Sequence, residues 1–384
     1  MEKAKLNETI PIEEATIYDN SDEKIMSFVH HEEPKNIFEK STEKEKKYYQ
    51  IKKVCVDIIH KNTISLNDFD YIHQLAVSKG GFLSLKLRTV LWQKIFGVNN
   101  ITKDEYELVF IDEKKETNIF TDPYKIDVFY TKKEKYRFFK AEDYKTIDND
   151  VKRSKINSFP HSILSNDSSI NDINEKLLFL KKKLKIFINT MTTLNNSIYK
   201  YYQGYHDIGL YFIFLYMDDF VNGICVFQRF SEFFLKENLV TIDDYQNFNS
   251  VLLILKEVIT KISPITQKIL DQYTEGNALF AISWILSLYS HNVEDLNTQY
   301  RLFDYFIVSH PICVYHLTAL IIIDQMKRFH NRKDLSQEKI YLHFQELNMD
   351  KIDFDAYIIK TEESMKQFPL SEFRGVFEKV NMKR

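Results

Sequence analysis

An all-α, multi-helix fold is predicted by three observations. Glycine is scarce, with eight in 384 residues, about 2% against a usual share of roughly 7%, and proline is nearly as rare with seven. Hairpins, phosphate-cradling loops and doubly wound sheets all use glycine, so a chain this poor in it favours helices. Apolar residues recur at helical spacing through most of the chain, and 44% of all residues are apolar, enough to bury a large core. Neither G-x-x-x-x-G-K-[ST] nor G-x-G-x-x-G is present, so no nucleotide-binding loop accompanies those helices.

Residues 1–40 are polar and acidic ("SDEK", "HHEEPK") without a sustained period and read as a flexible N-terminal segment. Order is expected from Thr42, which stands in capping-box spacing with Glu45 and is followed by Tyr48, Ile51, Cys55 and Ile58 at helical intervals. A second helix fits Asn67–Lys79, closed by Gly80 and Gly81; a third aligns Leu87, Val90, Leu91 and Ile95 and ends at Gly97. Residues 101–145 mix aromatic and charged side chains with no clean period and read as an insertion or long loop with short helical pieces. Helices resume in "EKLLFLKKKLKIFINTMTTL", amphipathic through Leu177, Leu180, Leu184 and Phe187, and in "NSVLLILKEVITKI", which stops at Ser263, ahead of Pro264 at the first position of the next helix. "NALFAISWILSLY" and "YRLFDYFIVSHP" read as two further buried helices. Residues 41–330 thus form the main domain, with 331–384 as C-terminal amphipathic helices packed on it. No repeat period indicates a solenoid.

The formal net charge of −3 supplies no field for a polyanion, so nucleic acid is not expected as a partner, and the run Lys181–Lys183 reads as a solvated helix face. Cys55, Cys225 and Cys313 are odd in number, far apart and without C-x-x-C spacing, which suits reduced thiols and offers no metal site. The N-terminus lacks an apolar signal-peptide core. The longest apolar runs, Ile208–Met217 and Leu317–Ile323, fall short of the roughly 20 residues that span a bilayer. A soluble cytoplasmic chain is the expectation.

Two segments carry possible chemistry. In "YYQGYHDIGLYFIFL", Gln203 and Gly204 interrupt an aromatic run at the start of a helix, and Gly204 and Gly209 each cost about 1 kcal/mol in a helix interior. Read alone, Gly204 admits a neighbouring helix and Gln203 satisfies exposed backbone groups. In "IDNDVKRS", Ile147, Asp150 and Arg153 fall at i, i+3 and i+6, placing an apolar anchor, a carboxylate and a guanidinium along one side of a helix. Read alone, Asp150 and Arg153 make a solvated ion pair. The adjacent His206 and Asp207 suggest acid/base work, but neighbours on a helix do not face each other, and a structural histidine is the plainer reading.

Together, in this order and about 50 residues apart, the two segments resemble the catalytic core of the TBC-domain GTPase-activating proteins, which act on Rab GTPases. The family's I-x-x-D-x-x-R is matched by Ile147, Asp150 and Arg153, and its Y-x-Q-G by Tyr201, Gln203 and Gly204. "LKLRTVLWQKIFGV" is similar to the family's L-R-x-x-x-W element, with Arg88 and Trp92 in place, and "ISWILSLYSHNVEDLNTQYRLFDYF" to its later segment, with Trp284, Arg301 and Asp304. "YYQGYHDI", "DVKRS" and "YRLFDYFIVSHP" resemble the branch that acts on the Rab of the ER-to-Golgi step. There are two departures: Asn196 is followed by Ser197 where the family often has proline, implying a less rigid approach to the glutamine motif, and the sequence ends at "FEKVNMKR" without the branch's usual hydrophobic anchor.

The resemblance implies two helical lobes with a groove between them, and Arg153 and Gln203 reaching one rim. It implies a GTP-bound Rab as partner, met at ER, Golgi or other endomembranes, with membrane contact only through the Rab. No cofactor is implied for the chain itself, since GTP and Mg²⁺ belong to the GTPase. Arg153 acts as an arginine finger and Gln203 as a glutamine finger in trans, and no independent enzyme activity is expected. The residue types suit the task. Arginine is always charged, planar and multidentate, so it neutralises charge spreading over a transferring phosphoryl group. A glutamine amide both donates and accepts, so it can orient a water. Gly204 would let the partner's backbone come near. The rival reading is a helical Rab-binding effector or tether that does not hydrolyse, against which the presence of both motifs speaks. A hydrolase with its own substrate lacks a G-x-S-x-G elbow.

Overall fold

The computed structural model describes residues 42–59, 61, 63–98, 109–112, 115–118, 129–130, 144–158, 173–193, 199–217, 219–240, 244–329, 332 and 334–381. The expected flexible segment 1–40, the Asn196–Ser197 loop and the last residues of the chain lie outside these. The fold is all-α, with sixteen α-helices among the described residues.

Helix α1 (Glu43–Ile59) opens on the expected box: Thr42 Oγ1 accepts from Glu45 N, and Thr42 N donates to Glu45 Oε2. Ser65 and Asp68 repeat that box at the start of α2 (Leu66–Val77). Helix α3 (Leu85–Ile95) is released at Gly97, whose φ of 65° is left-handed. Within 101–145, ahead of a helix that begins at Tyr144, the described residues form three short strands rather than helical pieces, β1 (Val109–Asp112), β2 (Lys115–Asn118) and β3 (Phe129–Tyr130), antiparallel in the order β2-β1-β3. Alternation over two to four residues is too short to register as a period, so the sequence showed only a lack of helical pattern.

Helix α4 (Tyr144–Arg153) precedes α5 (Ile173–Thr193), and α6 (Tyr205–Leu215) follows, buried along its entire length. Helices α7 (Phe220–Phe234) and α8 (Lys236–Val240) add to those expected from periodicity. Next come α9 (Asp244–Ile262) and α10 (Pro264–Tyr273), the latter capped by Ser263 with Pro264 in its first turn. The segment expected as one buried helix, "NALFAISWILSLY", is a 3₁₀ turn (Leu279–Ala281) running into a single helical stretch, α11 (Ile282–Leu286). The chain leaves the helix because Leu288 and Tyr289 take positive φ of 49° and 67°, fixed by Gln299 Nε2 on the Leu288 carbonyl and by a hydrogen bond between the Tyr289 and Thr318 hydroxyls. An apolar run fits a helix equally well, so the break is invisible to periodicity.

The remaining helices are α12 (Leu296–Phe306), α13 (Ile312–Met326), α14 (Gln337–Gln345), α15 (Phe354–Gln367) and α16 (Arg374–Asn381). Helix α5 packs on α4 and α6, while α9 packs on α13, which in turn carries α15. The buried side chains form one continuous core from Ile51 to Val380. Lysines 181–183 are half-buried rather than a solvated face, with Lys181 Nζ on the Lys152 carbonyl at the end of α4 and Lys183 Nζ on the Met217 carbonyl beyond α6. Cations favour these positions because carbonyls without intrahelical partners gather at helix C-termini. Cys55, Cys225 and Cys313 are free thiols; burial pushes Cys55 up to about 12 and Cys225 up to about 11.

Candidate functional site

Helix α4 presents its three motif residues to different surroundings. Ile147 is wholly buried and anchors the helix, Asp150 is buried behind the surface, and Arg153 projects with its side chain 72% exposed. One Arg153 Nη donates to Asp150 Oδ1 at 2.6 Å, and its Nε donates to the Asn149 carbonyl at 3.3 Å. Asp150 Oδ2 accepts the Tyr201 hydroxyl at 2.8 Å. Asp150 is therefore a buried acceptor shared by both motifs, which a solvated surface pair would not be.

Gln203 is exposed on the turn that enters α6, and Gly204 is the residue before the first helical turn, with φ 101° and ψ −18°. A Cβ added there would meet only the Ser287 Cβ, at 3.6 Å, so glycine answers a backbone conformation that side chains resist rather than a lack of space within the chain. Close approach occurs at Gly209 instead, where a Cβ would stand 3.0 Å from Ile188 Cδ1 of α5.

Around that turn runs a chain of polar contacts. The Tyr201 hydroxyl lies 2.7 Å from His206 Nδ1, His206 Nε2 lies 3.3 Å from Asp207 Oδ1, and Asp207 Oδ2 lies 2.8 Å from His291 Nδ1. His206 and Asp207 meet despite being adjacent on one helix, contrary to the sequence argument, with Tyr201 and His291 holding them from outside α6. Burial, and then the Asp150 hydrogen bond, push the Tyr201 phenol far up, so it stays protonated. Burial pushes His206 down, against the opposing pull of Asp207 and Asp150. Burial also lowers Lys155, whose Nζ donates to the Val293 carbonyl at 3.1 Å.

Arg153 and Gln203 line one cavity of about 370 Å³. Asp150, Lys155, Gly204 and Asp207 also line it, together with the apolar side chains of Phe248 in α9 and of Ile282 and Leu286 in α11. The cavity thus gathers residues from α4, α6, α9 and α11, with two cations, two carboxylates and an amide beside apolar side chains. Lys155, Phe248 and His291 are lining residues the sequence did not reveal, since each arrives by tertiary packing with no local signature. Among the described residues no group of three His, Cys, Asp or Glu is placed to hold a metal ion, and no helix is long and apolar enough to cross a membrane.

The other motif residues sit apart from the cavity lining. Asp304 accepts from Arg88 Nε and Nη, Trp92 Nε1 and Phe82 N, while Arg301 donates to Asp355 and to the Ala76, Val77 and Ser78 carbonyls that end α2. This network ties α2 and α3 to α12 and α15, joining early helices to late ones. Trp284 is buried in α11, its ring 6.0 Å from Phe344 and 6.3 Å from Tyr289, and it backs the stretch that supplies the apolar wall.

Comparison with known proteins follows the same pattern. The chain is 23% identical over 321 residues to TBC1 domain family member 20 of Bos taurus, covering 84% of this chain and 69% of that protein. The Homo sapiens protein of the same name is 22% identical over 305 residues, covering 79% and 65%. GTPase-activating protein gyp10 of Schizosaccharomyces pombe is 29% identical over 162 residues, covering 38% of this chain and 41% of that protein. Residues 85–330, which hold the buried Arg88–Asp304 pair, both motifs and the cavity they line, match the Rab-GTPase-TBC domain, and the chain belongs to that family.

Proposed function

We propose that this protein accelerates GTP hydrolysis by a Rab GTPase, with Arg153 and Gln203 supplied in trans. The observation that carries this is that the two side chains, about 50 residues apart in the chain, line one cavity, and that a buried hydrogen bond from Tyr201 to Asp150, the partner of Arg153, joins their two motifs. In phosphoryl transfer there is little covalent chemistry for a protein to perform, so positioning and charge neutralisation are what a helper contributes. Arg153, held at one Nη by Asp150 and at Nε by the Asn149 carbonyl, keeps its remaining Nη donors for the transferring phosphoryl group. Gln203, exposed on the turn before α6, offers a donor and an acceptor to the attacking water. GTP and Mg²⁺ come with the GTPase. The similarity to relatives named as a TBC1 family member and a GTPase-activating protein supports this reading, and the features shared with the ER-to-Golgi branch nominate the Rab of that step, met in the cytoplasm at endomembranes.

The test is a hydrolysis panel over purified Rabs loaded with GTP. Wild type should accelerate at least one, and Arg153→Ala should lose roughly 10³-fold or more of the stimulated rate. Binding to the same Rab with an unhydrolysable analogue should change far less, because an arginine finger acts on charge that develops in the transition state. Gln203→Ala should behave similarly, and the double variant should lose much less than the product of the singles. If no Rab is accelerated while one still binds in its GTP form, the protein is an effector or tether.

A further inference from the structure

We propose that His206 is a positioning residue that closes the Gln203 turn and ties it to Arg153, acting through an Nδ1–H bond to the Tyr201 hydroxyl; this rests on the reading of Arg153 and Gln203 as the groups that meet the nucleotide. The argument is proton accounting. The Tyr201 hydroxyl has one proton, and both Asp150 Oδ2, at 2.8 Å, and His206 Nδ1, at 2.7 Å, lie within hydrogen-bond distance of it. A carboxylate engaged by a guanidinium on its other oxygen only accepts, so the phenol proton goes to Asp150. The phenol oxygen must then accept from His206, which fixes the ring's proton on Nδ1. Protonation of Nε2, 3.3 Å from Asp207 Oδ1, would add a contact to that carboxylate and leave the Nδ1 donor in place. Both charge states of the ring therefore keep the bond.

The geometry gives this bond its consequence. Tyr201 and His206 stand at the two ends of the turn that carries Gln203 and Gly204, so linking their side chains closes the turn across its mouth. The same hydroxyl holds Asp150, and Asp150 holds Arg153. Behind His206, Asp207 is fixed by His291 Nδ1, so the clasp is braced from the segment after α11. Loss of the Nδ1 donor would free one end of the glutamine turn and unseat the hydroxyl that orients the arginine's partner.

Three variants and one spectrum test this. His206→Asn keeps an N–H near the Nδ1 position, His206→Gln moves the amide toward the Nε2 position, and His206→Leu keeps bulk without a donor. In single-turnover hydrolysis with the GTPase that wild type accelerates, the Leu and Gln variants should lose about 10-fold or more of the saturating rate, since misplacing a reacting group by about 1 Å can cost about 100-fold. Their half-saturating concentration should stay within about threefold of wild type, and His206→Asn should recover most of the rate. Should His206→Leu not fold, the Asn and Gln pair, both polar, still decides. Nitrogen NMR of the wild-type imidazole should show a protonated Nδ1, and needs no GTPase. The proposal is overturned if the ring is the Nε2–H tautomer, if Asn loses as much as Leu, or if a folded Leu variant matches wild type. Stimulation by wild type with no effect of these variants removes the clasp alone; the absence of any stimulation by wild type removes the functional reading, and the spectrum then decides the clasp by itself.

Discussion

Replacing Asp304 should nearly unfold the protein, and the structure gives the size. Its carboxylate is fully buried and accepts from Arg88 Nε at 2.9 Å, Arg88 Nη at 2.9 Å, Phe82 N at 2.8 Å and Trp92 Nε1 at 3.1 Å. In Asp304→Ala the Arg88 guanidinium, only 4% exposed, becomes an uncompensated buried charge, worth about 3–5 kcal/mol. Phe82 N and Trp92 Nε1 lose their acceptor at about 1–3 kcal/mol each. The sum, about 5–11 kcal/mol, approaches the whole stability of a typical domain. Arg88→Met should cost less, about 2–4 kcal/mol, because Asp304 keeps two donors, Phe82 N and Trp92 Nε1. The double variant Arg88→Met/Asp304→Ala strands no charge, so it should be at least about 2 kcal/mol more stable than the summed singles imply. Urea unfolding of the four proteins measures this cycle, with Asn in place of Ala at position 304 in both the single and the double variant if Asp304→Ala fails to fold. Additivity within about 0.5 kcal/mol, or a loss below about 1.5 kcal/mol for Asp304→Ala, would refute the argument.

Two further outcomes follow from single residues. Gly204→Ala should lose about 1–2 kcal/mol through its φ of 101° alone, and lose stimulated hydrolysis beyond that because Gln203 sits on the strained turn; an unchanged melting temperature would show that the turn tolerates a side chain. His316 is fully buried, its Nδ1 within hydrogen-bond distance of the Ser364 hydroxyl and its Nε2 without a hydrogen-bond partner among the described residues, and burial lowers its pKa to about 4. The unfolded chain binds this proton near the ordinary value of about 6.5, so stability should fall as pH drops from there toward 4 and level off below, by at most about 3 kcal/mol. A His316→Gln variant with the same acid slope as wild type in urea titrations would remove this histidine as the cause.

What was legible in the sequence was local. The i, i+3, i+6 spacing of Ile147, Asp150 and Arg153 places them along one side of a helix, and the structure buries the first two while projecting the third. Thr42 with Glu45, and Ser263 before Pro264, mark helix starts because the cap and the groups it satisfies lie within one turn. What was not legible depends on distant partners. Gly80 and Gly81 read as a helix stop, yet a Cβ on Gly81 would fall 2.5 Å from Asp304 Oδ2, so that glycine also lets the backbone reach a carboxylate more than 200 residues away. His206 and Asp207 were set aside by a helix-wheel argument that takes no account of Tyr201 and His291. Lys181 and Lys183 looked like solvent-facing charge because their acceptors, the Lys152 and Met217 carbonyls, belong to other segments.

The convergence of the two motifs is itself decided outside them. Helix α4 is seated on α5, where Asp148 pairs with Lys185, and α6 is seated on the same helix through Gly209, against Ile188 and Leu184. The separation of Arg153 and Gln203 is therefore set by how closely α5 admits its two neighbours. Packed interiors resist changes of even one methylene, so a bulkier residue along that face of α5 would shift α6 and the turn at its start while both motifs stayed intact. A chain can carry both motifs and still fail to bring the two side chains together. It is consequently their shared cavity, with Asp150 held between Arg153 and Tyr201, that supports a two-finger activator over a module that only binds.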